Sequence, residues 1–230
     1  RNAPPSVDQW LGTGKMRRDI FERNLVGARN SLAVGCLAAV INLIVGTIYG
    51  GIAGYVGGKV DMIMMRVVDI IYSVPSMLYI VLIMLIFGAS VVSIMLGISI
   101  TCWIDMARIV RQQVKSLKEQ EFTMAAFVLG ASSSRILLKH LLINTMGQII
   151  VTVTLMVPQA IFTEAWLSFL GVGISAPMAS WGTLAQDARE LIMTYPMQTV
   201  YPMIAICITI FSFNFVGEGL EKALDPKRKR

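Results

Sequence analysis

A lysine that follows a glycine is the first residue to test for chemistry, because Gly-Lys followed by Ser or Thr closes a phosphate-binding loop. Gly14-Lys15 is followed by Met16, Gln9 stands where the first glycine of such a loop belongs, and no Gly-x4-Gly-Lys-Ser/Thr occurs elsewhere. The chain thus carries no nucleotide site of its own. Cys36, Cys102 and Cys207 are far apart in sequence, in or beside apolar runs, where cysteine behaves as a small hydrophobe. His140 is the only histidine, which leaves no His-based zinc site. No nucleophile, base and metal set is assembled, so no catalytic residue and no metal ligand is assigned. Glu164 stands out, because it lies inside an apolar run, where an acid is expensive and defaults to a functional reading. Its place near one end of that run favours a structural hydrogen bond over contact with a solute.

The elements that must hold Glu164 are long and uncharged. Hydrophobic residues make up 55% of the 230 positions and charged residues 15%, against about 25% charged in an ordinary soluble domain. No charged side chain occurs from Asn30 to Gly58, Ile70 to Ile104, Leu141 to Thr163, or Leu191 to Gly217. About 20 apolar residues suffice for a helix to cross the hydrocarbon core. Barrel strands would instead show short alternating segments, and none appears. The fold class is all-α, a polytopic helical membrane protein. Five spans are expected, at Ser31–Val56, Val67–Phe87, Val91–Ala107, Gln148–Gly171 and Met197–Gly217, with a tight turn at Gly88-Ala89-Ser90. Pro75 and Pro158 fall inside spans and should free the carbonyls of Ile71 and Thr154, as suits a helix lining a cavity or simply a bent one. Gly46, Gly50 and Gly54 form a stripe that lets another helix approach closely, within the subunit or across to a partner.

The net charge of +6 follows membrane topology rather than nucleic acid, since no basic stripe with interleaved aromatics marks a soluble face. The 108–140 loop, the 218–230 tail and the short loop with Lys59 and Arg66 are all basic, while Val172–Pro196 holds Asp187 and Glu190 against Arg189. Basic loops stay in the cytoplasm, so the C-terminus is expected there. Parity then puts residues 1–30 outside, although Lys15, Arg17, Arg18, Arg23 and Arg29 run against the rule. A sixth helix upstream of Arg1 would resolve this. Asp69 and Asp105 lie beside Arg66 and Arg108 and are expected to pair with them. Trp181, in the loop before the last span, could be an interfacial anchor.

The 108–140 loop is the most informative segment. Phe122, Ala125, Ala126 and Leu129 follow the i, i+3, i+4, i+7 spacing of one helical face. Glu119 and Glu121 sit where the helix dipole favours acids, Gly130 can take the left-handed conformation that ends a helix, and Ser132 or Ser133 can cap a second helix through Arg135. Two short helices meeting at a glycine corner could lie on the membrane surface or fill another protein's groove.

The segment resembles the Glu-Ala-Ala cytoplasmic loop of inner-membrane subunits of binding-protein-dependent ABC importers. Ala125, Ala126, Gly130 and Leu142 match its strict form, whereas Met124, His140 and Ile143 depart from it. The peptide-transport branch fits more closely, through Phe122, Ala125, Ala126, Leu129, Gly130, Ala131, Ser132, Arg135, Ile136, His140, Leu142 and Asn144. Further blocks follow in order: Leu11-Gly12-Thr13; Ala53 to Gly58 with Asp61, Arg66 and Asp69; Leu167 to Gly173 with Pro177 and Ser180-Trp181-Gly182; and Asn214, Gly217 and Leu224-Asp225-Pro226.

That resemblance implies the transmembrane domain of a type I ABC importer, spanning 31–217, in the C-type permease branch of oligopeptide or dipeptide importers. It implies a non-catalytic subunit in a bacterial inner membrane that forms half of the uptake pathway, with no cofactor of its own, ATP being bound by partners. The partners implied are a second homologous permease subunit, two ATP-binding subunits and an external solute-binding protein. Glu121, Phe122, Ala125, Ala126, Leu129, Gly130, Ala131, Ser132 and Arg135 would couple to the ATPase, while Pro75, Pro158, Glu164 and Trp181 would be structural or line the pathway. In this picture Trp181 faces the cavity mouth. Related subunits also carry nickel or other small solutes, and an ion-coupled secondary transporter is a rival class, though internal repeats and midplane charges are not evident.

Overall fold

The computed structural model of the protein describes residues 10–14, 19–173 and 178–224. Lys15, Arg17, Arg18, Pro177 and Asp225–Arg230 lie outside the described residues.

The described chain is helical: α1 Ile20–Val56, α2 Gly58–Ser73, α3 Ser76–Phe87, α4 Val91–Thr101, α5 Ile104–Lys118, α6 Glu121–Val128, α7 Ser133–Phe169, α8 Trp181–Arg189 and α9 Met197–Leu224. Four of these stretches, α1, α4 with α5, α7 and α9, are long and apolar enough to cross a membrane, and the bent pair α2–α3 makes a fifth. The number matches the expectation, but the boundaries move. α1 starts at Ile20 rather than Ser31. The helix expected to stop at Ala107 continues to Lys118, past a short turn at Cys102-Trp103. The expected second short helix of the loop is the start of α7, and α9 runs on to Leu224. At the ends of α1, α5 and α9 charged residues complete the helix, while the expected second short helix runs on unbroken into the next span.

Pro75 does not sit inside a helix. It lies between α2 and α3, which are bent by 74°. The Ile71 carbonyl, expected to be freed, accepts from the Val74 N–H at 3.4 Å and from the Tyr79 hydroxyl at 3.2 Å. Pro158 lies within α7, and Pro202, not singled out in the sequence, within α9. A wide π-type turn at Asn42–Gly46 interrupts α1, and both polar atoms of the buried Asn42 amide lack a hydrogen-bond partner among the described residues.

The chain forms two compact units: the described parts of Arg1–Leu37, Ile80–Gly97 and Val157–Phe213, and those of Ala38–Tyr79, Ile98–Met156 and Asn214–Arg230. In the first, a Cβ on Gly35 would stand 2.9 Å from the Ile161 side chain, and one on Gly182 would stand 2.5 Å from the Ala165 carbonyl. Helix backbones therefore approach closely at both points. Ser180 caps α8 reciprocally: its hydroxyl accepts from Thr183 N–H (3.2 Å), and its own N–H donates to the Thr183 hydroxyl (2.8 Å). Sequence reasoning left this helix as loop, because a Thr takes the place of the Glu or Gln that usually closes such a box.

In the second unit the glycine stripe packs α1 against α5. Gly46 faces Met106 and the Trp103 carbonyl, Gly50 the Ala107 backbone, and Gly54 the Arg111 carbonyl and Val114. Numbers rise together on both helices in steps of about four, so the two run parallel with one turn matched to one turn. Of the two readings, packing within the subunit is the one observed.

Candidate functional site

The site is built on the end of α5. Its last turn carries Lys115 and Lys118, where cations suit the helix dipole. The chain then turns through Glu119-Gln120 into α6, which has Glu121 in its first turn. The Thr123 hydroxyl donates to the Leu117 carbonyl at 2.8 Å, beside the Gln120 N–H that already bonds it at 3.2 Å, and so ties the start of α6 to the end of α5. Ala126, one turn on, joins a buried apolar cluster with Met106, Val110 and Val114 of α5 and Ile136, Leu141 and Ile149 of α7.

Thr123 and Ala126 are therefore the inner face of α6. Of the four residues on the expected face, one turns inwards and three outwards. Ala126 is buried, but Phe122, Ala125 and Leu129 are exposed, together with Met124, Phe127 and Val128. Val128 and Leu129 are 83% and 86% exposed. A hydroxyl that bonds a helix end takes the inside position, and the apolar residues are left outside.

Gly130 ends the helix with φ +79°. Its N–H donates to the Phe127 carbonyl (3.0 Å) and that of Ala131 to the Ala126 carbonyl (3.1 Å), the paired bonds of a Schellman cap. Ser132 is the N-cap position of α7, in extended geometry, but its side chain makes no capping bond. Its hydroxyl lies 3.4 Å from that of Ser134. Arg135, in the first turn of α7, is exposed.

Beside this corner sits a charge cluster that sequence reasoning missed. Asp61, in the first turn of α2 and 4% exposed, accepts from Arg111 through both carboxylate oxygens and from Lys115 at 2.7 Å. It lies ahead of the apolar stretch that begins at Val67. Lys118 donates to the Tyr55 carbonyl at 2.6 Å. Arg108 pairs with Asp69 at 3.1 Å and lies over the Tyr72 ring, so Arg108 does not take the expected partner, Asp105. No signal in the sequence ties position 61 to positions 111 and 115.

The remaining candidates are in the first unit. Glu164 is fully buried. Its carboxylate accepts from the hydroxyls of Ser31 (3.0 Å) and Ser168 (2.8 Å), with Ser180 as a further donor. Trp181 is buried rather than displayed at a surface. Its N–H donates to the Ser31 hydroxyl (3.3 Å) and its indole to the Asn24 carbonyl (3.2 Å). Among the described residues, no group of three or more His, Cys, Asp or Glu stands close enough to hold a metal.

Residues 46–230 match the family described as binding-protein-dependent transport system inner membrane component. The chain belongs to that family. It is 52% identical over 227 residues to the oligopeptide transport system permease protein OppC of Bacillus subtilis, covering 99% of this chain and 74% of that one. It is 47% identical over 231 residues to the dipeptide transport system permease protein DppC of the same organism, covering 100% and 72%. Among solved structures, the inward-facing MetNI methionine ABC transporter matches 93% of this chain and 100% of its own with a TM-score of 0.71 at 16% identity. An amino acid ABC transporter matches 89% and 93% with a TM-score of 0.65 at 13% identity. These two likenesses concern the fold. As an inner membrane component of such a system, the chain is a multi-pass permease subunit, which sets aside the ion-coupled transporter.

Proposed function

We propose that the chain forms half of the translocation pathway of an ATP-driven importer of oligopeptides or dipeptides. The names of its relatives support the cargo. In this reading it binds no cofactor. ATP is held by two partner subunits, a second, homologous permease completes the pathway, and an external binding protein delivers the solute. Residues 31–217 form the transmembrane domain, the 108–140 segment and the 218–230 tail face the cytoplasm, and residues 1–30 lie outside.

α6 is the handle. The observation that carries this reading is the run Phe127-Val128-Leu129, exposed at the end of a two-turn helix that is pinned from behind by Thr123 and Ala126. Exposed apolar side chains on a rigid helix are what a protein groove recognises. Glu121, Phe122, Ala125 and Leu129 line the outer side, while Gly130, Ala131, Ser132 and Arg135 form the corner that sets its angle. Closure of the two ATPase subunits draws these handles together and opens the pathway outward.

The test uses Gly130, where a Cβ would meet nothing within 4 Å but φ is +79°. Gly130→Asn tolerates that conformation and Gly130→Val does not. The expectation is that loaded binding protein stimulates ATPase activity normally in Gly130→Asn and fails to do so in Gly130→Val. Normal stimulation in both would refute the role of the corner.

A further inference from the structure

α2 has little else to hold it. Among the described residues, its buried ones are Asp61 and Val68, and its other ties to α1 and α5 are Tyr49 to the Met64 carbonyl at 2.8 Å and the more exposed Arg108, which pairs with Asp69 and lies over the Tyr72 ring. The packing of α1 on α5 is supplied by the glycine stripe and does not need Asp61. A buried carboxylate gripped by two cations is a costly way to gain stability, since apolar residues of similar volume serve as well or better. What the charge cluster adds is geometric. Arg111 engages both oxygens of one carboxylate, which fixes orientation as well as distance, and Lys115 adds a third contact one turn closer to α6.

The contacts form one line. α6 is pinned to α5 by Thr123 and Ala126, α5 is pinned to α2 by Asp61, and α2 leads to the bend at Pro75. We infer that Asp61 is a positioning residue for energy coupling, which makes α2 travel with α5 and α6 when α6 is displaced. The inference rests on α6 being the element an ATPase subunit moves, and it extends that reading to a residue outside the loop.

The test is a distance measurement by electron paramagnetic resonance on the assembled importer, with the native cysteines replaced. One label pair joins Lys59 on α2 to Gln120, the exposed N-cap position of α6. A second joins Gln120 to an ATP-binding subunit. Nucleotide-free and ATP-vanadate-trapped states are compared. In the otherwise unmodified protein the Lys59–Gln120 separation stays constant between states. In Asp61→Asn its distribution broadens and its centre shifts on trapping, and Asp61→Glu restores the constant separation. A Lys59–Gln120 distance that changes between states in the unmodified protein overturns the inference without any Asp61 variant. So does a distance that stays constant in Asp61→Asn. If the second pair shows that α6 does not follow the ATP-binding subunit, the coupling reading itself falls and takes the inference with it. If α6 follows that subunit while α2 does not follow α6, only the inference falls.

Discussion

Gly50 and Glu164 show how single residues set the cost of change. A Cβ on Gly50 would enter the Ala107 backbone, which cannot swing aside as a side chain does. Gly50→Ala is expected to destabilise the protein by about 1–3 kcal/mol, the usual cost of overpacking, read as a lower melting temperature of the detergent-solubilised complex. Gly219→Ala, where a Cβ meets nothing within 4 Å, should leave that temperature unchanged or raise it. Glu164→Leu removes the shared acceptor of Ser31, Ser168 and Ser180 and should cost about 1–3 kcal/mol. Glu164→Gln keeps an acceptor oxygen and should cost less, with uptake preserved. A large loss of uptake in a stable Glu164→Gln protein would count against a structural role. The spacing of Gly46, Gly50 and Gly54 announces a close approach, but nothing in it says that α5 is what approaches. The acid at Asp61 is plain in the sequence, whereas its partners lie 50 and 54 positions away and become visible only when α2 and α5 lie side by side.

At the scale of elements, helices were legible where apolar residues run unbroken and obscure where charges sit inside helix ends. Lys115 and Lys118 read as loop although they complete the last turn of α5. The helix expected through Arg135 was legible, but not its continuation into the span that follows, because Lys139 and His140 separate the two in sequence. The glycine corner was readable because positive φ selects glycine. The facing of α6 was not, since periodicity marks an apolar side without saying whether the protein or a partner covers it. That exposed side yields its own prediction. Val128→Glu should leave the permease folded and in the membrane, because the side chain is 83% exposed, and should reduce recovery of the ATP-binding subunit in pull-downs by about tenfold, as loss of an interface anchor does. Undiminished recovery would mean that α6 is not the contact.

Across the whole molecule, composition was enough for the class, charge patterning supplied an expected topology, and the likeness to permeases came from ordered blocks spread over nearly the whole chain. The pathway was not legible, because a channel formed by two subunits is lined by faces that one sequence cannot pair. What joins every scale is the proposal that an ATP-hydrolysing partner takes hold at α6. Site-specific photo-crosslinking in membranes that contain the assembled importer tests this most directly. With a photoreactive residue at Phe127, Val128 or Leu129, crosslinks to the ATP-binding subunit are expected, and with one at Thr123 or Ala126, crosslinks within the permease. No crosslink to that subunit from any of the three outer positions, or labelling of those positions by an impermeant reagent added from outside the cell, would contradict the account.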